Sequence, residues 1–416
     1  MESLVGKKLL ILGGNFLSKD IVAAAKELGV YTIVTDWYDV DRSPAKLIAD
    51  EAWNISTTDY STLAKEIKTK AIDGIITGFT DSYLISYQYL CELTGLPCYA
   101  TKEQFIKTLD KDLFKRACSA FNVPIVPEYD FKTFDPKVLS AENRVIIKPV
   151  DNSGSRGICI CDSADDFEQL LQYSLSFSES RRVLIEKYMD CDDVSLEYKI
   201  QDGEIFLSSI CDRFIYKTST HGSVTSKLIY PSKYIDKYLT EVDSKVRGMF
   251  EHMGLKNGVL FMQAFADSNG FYFYEMGYRL SGGRHFIFTD YLNNSSSVKE
   301  LVHFALTGRM DDERISMKTN PYYKKICCQL SILCKSEIIG AYVGKQWISE
   351  QPEIIDSLYT YNVGEEIGAQ GTSAQIVARF HIVVDNNEHL MNVLEAIRRN
   401  FSVVNRAGDN IIISIQ

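Results

Sequence analysis

No apolar run in the 416-residue chain approaches the roughly 20 residues that a membrane-crossing helix needs, so a membrane partner is excluded. The opening Met1–Lys8 leads straight into a strand-like Leu9-Leu-Ile-Leu12 without a long apolar stretch and cleavage site. No secretory leader is expected, and a cytoplasmic setting follows. A basic surplus is also missing: 45 Lys and Arg face 55 Asp and Glu, a net charge of −10. Nucleic-acid backbones are bound by clustered cations, so nucleic acid is not an expected partner. The ten cysteines form no compact framework, and Cys159, Cys161, Cys211, Cys327, Cys328 and Cys334 sit inside apolar, strand-like runs. Reduced core thiols fit that placement better than disulfides or zinc. There is no internal repeat and no low-complexity tract. Small-molecule chemistry is what remains.

The length suits two or three domains with real cores, and 45% hydrophobic with 24% charged residues is ordinary for a globular protein. Strand-like Lys8–Leu12, Tyr31–Thr35 and Gly74–Thr77 alternate with helical Lys19–Leu28, Tyr60–Lys70 and Ser82–Thr94. That alternation predicts a parallel α/β domain over residues 1–100. A polar helical stretch, Thr101–Asn122, and the Pro124/Pro127 connector then open a central α+β part over 101–310. Residues 311–416 read as a β-rich closing domain with strands at Ala378–Val384 and Asn410–Ser414 around a helix, Asn387–Asn400. The turn Gly13-Gly14-Asn15 and Asp36 imitate a dinucleotide fold. Gly-x-Gly-x-x-Gly is absent, however, so a nicotinamide site lacks its defining glycines.

Two distant segments carry chemistry: Val145-Ile-Ile-Lys-Pro-Val-Asp-Asn-Ser-Gly-Ser-Arg-Gly157 and Phe271-Tyr-Phe-Tyr-Glu-Met-Gly-Tyr-Arg-Leu-Ser-Gly-Gly283. A triphosphate with its magnesium needs a nearby cation, amides that can approach phosphate oxygens, and hard oxygen ligands. Lys148, residues 151–157 and Glu275 supply these in turn. Taken alone, the first segment is equally an ordinary hairpin joining Val145–Lys148 to Ile158–Cys161.

With Leu10-Ile-Leu-Gly-Gly14 and Ser43-Pro-Ala-x-x-Ile-Ala-Asp-Glu51 ahead of them, these segments resemble the ATP-grasp superfamily. The resemblance is to the carboxylate–amine ligase branch, which includes L-amino-acid ligases, biotin carboxylase and carbamoyl phosphate synthetase-like proteins, and it covers nearly the whole chain. It implies an ATP-grasp fold of two lobes hinged near 183–193, with a leading parallel α/β domain and a small β-rich closing domain. ATP and Mg2+ (or Mn2+) are the implied cofactors, and a homodimer is expected because relatives are often dimers.

Carried onto this sequence, the resemblance assigns Lys111 and Lys148 to the nucleotide phosphates, and Ser153, Gly154, Ser155 and Gly157 to the loop closing over them. Arg156 reads as a loop residue. Glu186, Lys187, Tyr188 and Met189 would line the adenine, Lys187 through its main chain, and Asp193 would take the ribose hydroxyls. The alternative readings are a solvated helix lysine for Lys111 and a surface acid for Asp193. Gln263 and Glu275 match the metal ligands, and Arg279 the arginine that stabilises an acyl phosphate. The motif Glu-x-Asn-x-Arg reads Glu275-Met-Gly277-Tyr-Arg279 here, so one side-chain oxygen is missing. Gly283, Arg284 and His285 follow as candidate substrate contacts, with His285 and His221 also considered as bases. The polar, aromatic stretch from Cys211 to Pro231 is expected near the acceptor.

These features imply an ADP-forming ligase that phosphorylates a small carboxylate and passes the acyl group to an amine. The alternatives are a bicarbonate-activating, carboxylase-type enzyme and an ATP-binding module weakened at Gly277. No Met-Lys-Met of a biotin carrier and no second synthetase half is present.

Overall fold

Short apolar runs punctuated by glycine build the first layer. Strands β1 (Lys8–Leu12), β2 (Tyr31–Thr35), β3 (Glu51–Trp53) and β4 (Gly74–Ile76) pair in parallel in the order β3-β2-β1-β4. Leu9 to Leu12 are all buried, as a parallel strand covered on both faces requires. The computed structural model describes residues 3–151, 157–217, 223–310 and 319–414. Ser153, Gly154, Ser155, Arg156 and His221 lie outside the described residues.

The Gly13-Gly14 turn is sealed from within. Asp36 accepts hydrogen bonds from the Gly14 amide (2.8 Å) and Ser43 Oγ (2.7 Å), and pairs with the buried Lys46 (2.9 Å). A Cβ on residue 14 would lie 1.9 Å from Ser43 Oγ, so glycine is required by close approach. A carboxylate spent in this way cannot also take ribose hydroxyls, which removes the nicotinamide reading.

Two antiparallel sheets follow. The smaller contains β5 (Glu128–Tyr129), β6 (Val145–Pro149), β7 (Cys159–Cys161) and β8 (Val183–Lys187) in the order β5-β8-β6-β7. Strands β6 and β7 do form a hairpin.

The larger sheet joins β9 (Asp192–Gln201), β10 (Glu204–Lys217), β11 (Ser223–Tyr230), β12 (Gly258–Ala266) and β13 (Phe271–Gly277) to later strands. Those are β14 (Ile326–Cys334), β16 (Ile354–Tyr359), β17 (Ile376–Val384) and β19 (Ile412–Ser414), while β15 (Ile339–Val343) and β18 (Ser402–Asn405) form a separate pair. Strand β11 pairs antiparallel with β14, from Lys227↔Leu330 to Tyr230↔Cys327. The closing segment is thus welded to the central part by backbone hydrogen bonds across the boundary drawn at 311. The stretch 101–122 is two helices, Lys102–Leu109 and Lys111–Ala120, divided by Asp110. That side chain accepts from the amides of Asp112 (2.9 Å) and Leu113 (3.1 Å) and caps the second helix.

Candidate nucleotide and acyl-transfer site

Lys148 lies on β6, where alternation would hide it, and it is 4% exposed. Its Nζ sits 2.7 Å from Glu186 Oε1 on the adjacent β8, where Lys148 and Leu184 are in register. The same oxygen pairs with Lys115, whose Nζ also reaches Glu128 Oε2 at 3.0 Å. Lys111 opens the same helix, and its amide donates to Val150 O (3.3 Å), just beyond the end of β6. Burial, repulsion from Lys115 and repulsion from Lys111 lower the pKa of Lys148 against the pull of Glu186. Burial works to raise the pKa of Glu186, yet Lys148 and Lys115 outweigh it and hold the carboxyl below its usual range. Lys148 and Lys115 converge on Glu186, and Lys111 is near enough for its charge to act on Lys148, so cations are gathered here in a way that suits phosphate.

Glu186 is therefore a counter-ion between buried lysines. In this structure its Oε1 is engaged by two ammonium groups, while Oε2 makes neither of these contacts. Its neighbours are held through the main chain. The Lys187 amide donates to Pro127 O (2.9 Å), the Tyr188 amide to Arg144 O (3.0 Å), and Arg144 stacks 3.9 Å above the Tyr188 ring. Met189 follows the end of β8.

Across the cleft, Gln263 on β12 is the register partner of Glu275 on β13. Opposed side chains on antiparallel strands lie about 5 Å apart at Cβ, so one hard cation can touch both. Neither side chain makes a hydrogen bond or ion pair among the described residues, in contrast to the acids around them. Those residues contain no cluster of three or more His, Cys, Asp or Glu gathered for a metal. Two protein oxygens still fit magnesium, which takes its other ligands from phosphate and water.

The register shifts between Gln263 and Ala264, leaving Tyr274 as the extra residue beside Glu275. Lys148 Nζ stands 5.8 Å from the Tyr274 ring centre, linking the two sheets. Asp193 accepts from Tyr274 OH (3.0 Å) and from Arg213 Nη1 (2.9 Å). Burial raises the pKa of Asp193 despite Arg213 and Tyr274. It is an internal acid of the cleft, not a surface acid of the 190–193 turn.

Arg279 is fixed on three sides. Its Nε and Nη2 bond Asp81 Oδ1 (2.6 Å) and Oδ2 (2.5 Å) in the leading domain, Nη1 bonds Leu280 O (2.9 Å), and the guanidinium lies 5.0 Å over the Phe261 ring. Three of its five N–H groups are used, so two remain for an anion.

Arg284 and His285, expected at the substrate, are spent elsewhere. Arg284 is 3% exposed and ties Asp20 (2.8 and 2.9 Å) to Asp356 (2.6 Å), joining the leading domain to the closing one. His285 is buried, with Nδ1 2.8 Å from Tyr230 OH and Nε2 3.2 Å from Ser281 Oγ. Burial, with Arg213 and His381 nearby, pushes its pKa down to about 3, so it stays neutral. Gly283 packs tightly beside it: a Cβ there would lie 3.0 Å from His285 Nε2.

Sequence reasoning missed Lys115, Asp81, Arg213, Tyr274 and Phe261. Lys115 had a signal in its four-residue spacing from Lys111, which places both on one helix face. Arg213 lies in the Cys211–Pro231 stretch already singled out. Tyr274 depends on a bulge, and Asp81 on a domain contact, neither of which leaves a sequence signature.

Comparison with known proteins agrees with this geometry. Residues 141–285 match the model of the ATP-grasp domain. A formate-dependent phosphoribosylglycinamide formyltransferase from Maridesulfovibrio salexigens is 28% identical over 195 residues, 45% of this chain and 48% of that protein. The chain thus aligns with about half the length of that curated relative. An L-amino acid ligase from Bacillus licheniformis superposes with a TM-score of 0.79 at 14% identity, covering 96% of this chain and 99% of that one. A phosphoribosylglycinamide synthetase from Anaerococcus prevotii superposes with a TM-score of 0.75 at 18% identity, covering 96% and 100%. The chain has an ATP-grasp fold, and residues 141–285 are similar to the ATP-grasp domain.

Proposed function

We propose that this protein is an ADP-forming carboxylate–amine ligase that works through an acyl phosphate. The observation that carries the reading is the convergence of Lys148, with its lysine-rich surroundings, on the Gln263–Glu275 pair through Tyr274. Lys111 and Lys148 would hold the phosphates of ATP, and Gln263 and Glu275 the magnesium. When bound, the metal supplies charge neutralisation on the transferring phosphoryl group. The remaining N–H groups of Arg279 are suited to an acyl phosphate, and they act without reorganisation because Asp81 and Phe261 already fix the side chain. His285, held neutral and away from solvent, is not the base for the amine in this reading. The partners are then a small carboxylate and an amine.

A second reading, nucleotide binding with weakened turnover, draws on Gly277. The Phe261 ring occupies the space that a side chain at 277 would fill. One experiment separates the two. Pairs of small carboxylates, including amino acids, and amines are screened for phosphate release from ATP, with Glu275→Ala as the blank. Release that depends on both acid and amine supports the ligase; ADP binding without release for any pair supports the binding module.

A further inference from the structure

The thiols of Cys91 and Cys98 meet where the leading domain hands over to the central part. Cys91 is on the buried face of helix Leu84–Thr94 and is 1% exposed. The helix stops at Gly95, whose φ is +73°, and the Leu96 amide returns to Cys91 O (3.0 Å). This is the backbone turn that folds a chain back over its last helical turn. Cys98 is thereby laid against the cluster that holds Cys91, close enough for the two thiols to share a hydrogen bond.

The two sulfurs differ in their surroundings. Cys91 is enclosed, and burial drives its pKa well up. Cys98 is half-buried and lines a surface cleft with Lys102, Gln104, Lys256 and Asn257. A hydrogen bond from Cys91, opposed by burial and helped by the Ala100 main chain and Tyr87, holds its pKa below the ordinary thiol value. Burial pushes the remaining cysteines, all of them free, the other way. An open approach, thiolate character and a second thiol in contact are what reversible oxidation needs.

The next residue ties this pair to Arg279. Tyr99 OH donates to Tyr278 O (2.9 Å), and the two rings meet edge-on with centres 5.1 Å apart. Tyr278 stands between Gly277 and Arg279. On its other side the Tyr99 ring is packed so closely that a Cβ on residue 258 would lie 2.9 Å from its Cδ2. A disulfide draws two sulfurs to about 2.05 Å, so closing it pulls Cys98 toward the helix and moves Tyr99 against Tyr278.

We propose that Cys98 is a site of reversible oxidation, resolved by Cys91, and that the disulfide loosens the strand end carrying Arg279 through Tyr99. The oxidant is a hydroperoxide, and hydrogen peroxide serves as the probe. The Cys98 thiolate attacks one peroxide oxygen; the S–O bond forms, the O–O bond breaks, and the departing hydroxide takes up a proton to leave as water. The Cys91 sulfur then attacks the Cys98 sulfur; the S–S bond forms, the S–O bond breaks, and the hydroxide leaves as a second water with the Cys91 proton. Two thiols give up two electrons and two protons, and the peroxide is reduced to two waters. The device is independent of the ligase reading, because no step in it involves a nucleotide.

The test treats the full chain with one equivalent of hydrogen peroxide and digests it with trypsin without reduction. Cys91 and Cys98 share one tryptic peptide, residues 71–102, which contains no other cysteine. That peptide is expected to lose two hydrogens before any other cysteine changes, and to regain them with dithiothreitol. In Cys91→Ala the disulfide cannot close, and dimedone should trap Cys98 as its sulfenic acid; Cys98→Ser should give neither product. Amide hydrogen exchange of the intact protein reads the link to Arg279. Peptides covering 277–280 should exchange at least about threefold faster after oxidation of wild type, and by less in Tyr99→Phe. A 71–102 peptide that keeps both hydrogens, or oxidation spread evenly over all the cysteines, overturns the site. Unchanged exchange at 277–280 in the oxidised wild type overturns its link to Arg279.

Discussion

Gly277 and Phe261 are register partners on neighbouring antiparallel strands, and a Cβ on residue 277 would stand 2.5 Å from Phe261 Cε1 and 2.7 Å from Cζ. The two positions are coupled, because the same ring carries the guanidinium of Arg279 on its face. Glycine at 277 is thus more than a lost metal ligand: it makes room for the shelf that holds the arginine.

Restoring asparagine at 277 should therefore harm the protein. Gly277→Asn forces the Phe261 ring aside, and overpacking of this kind costs about 1–3 kcal/mol. The melting temperature should fall, and acid- and amine-dependent phosphate release should fall with it. Adding Phe261→Ala should return stability toward wild type. A single Gly277→Asn variant that melts normally and turns over faster would show that the ring gives way freely and that the site lacks a ligand.

The paired lysines make a second prediction. Lys115→Met leaves Glu186 facing Lys148 alone and Glu128 without its ammonium partner. Removing one member of a buried ionic network costs about 3–5 kcal/mol, so denaturant unfolding should shift clearly. ADP binding by calorimetry should weaken about tenfold, since Lys148 is then held more tightly by its only remaining acid. Lys148→Met should weaken ADP further, because it removes the phosphate ligand itself.

Much of this architecture was legible in advance because its signals are local. Strands Lys8–Leu12 and Tyr31–Thr35 and helix Asn387–Asn400 fall where periodicity placed them. Lys148, Gln263 and Glu275 lie on strands, as the apolar runs around them and the family resemblance implied. What escaped is long-range. The polar segment 101–122 looked continuous until Asp110 was seen to cap a new helix. Arg284 and His285 looked available because sequence cannot show that Asp20, Asp356 and Tyr230 arrive from other parts of the chain to claim them.

His285 predicts a pH dependence with a definite sign. Its folded pKa of about 3 lies below the ordinary histidine value of 6.5. Between those values the unfolded chain binds a proton that the folded one refuses, so this group's contribution to stability falls as pH drops from 6.5 toward 3. The slope it adds is at most about 1.4 kcal/mol per pH unit. Urea unfolding between pH 6.5 and 4.5 should be less pH-dependent in His285→Gln than in wild type. Equal slopes would mean that His285 is protonated in the folded protein.

The last prediction concerns Asp81 and separates two roles that its contact with Arg279 permits. If Asp81 orients the arginine, Asp81→Asn removes the charge that aligns Nε and Nη2 and leaves only Leu280 O and the Phe261 face. Phosphate release at saturating ATP should then fall about tenfold or more, which corresponds to about 1.4 kcal/mol, while ADP affinity stays put because the lysine cluster is untouched. Arg279→Lys should fall similarly, and the double variant should be little worse than either single one, since coupled residues are not additive. If Asp81 instead restrains the arginine until substrate displaces it, Asp81→Asn should speed release and lower the KM for the carboxylate. The pair is 11% and 19% exposed, dry enough for the contact to hold its geometry and open enough for an anion to approach. Fixed geometry is what a preorganised charge needs to act on a transition state, so the slower outcome is the expected one.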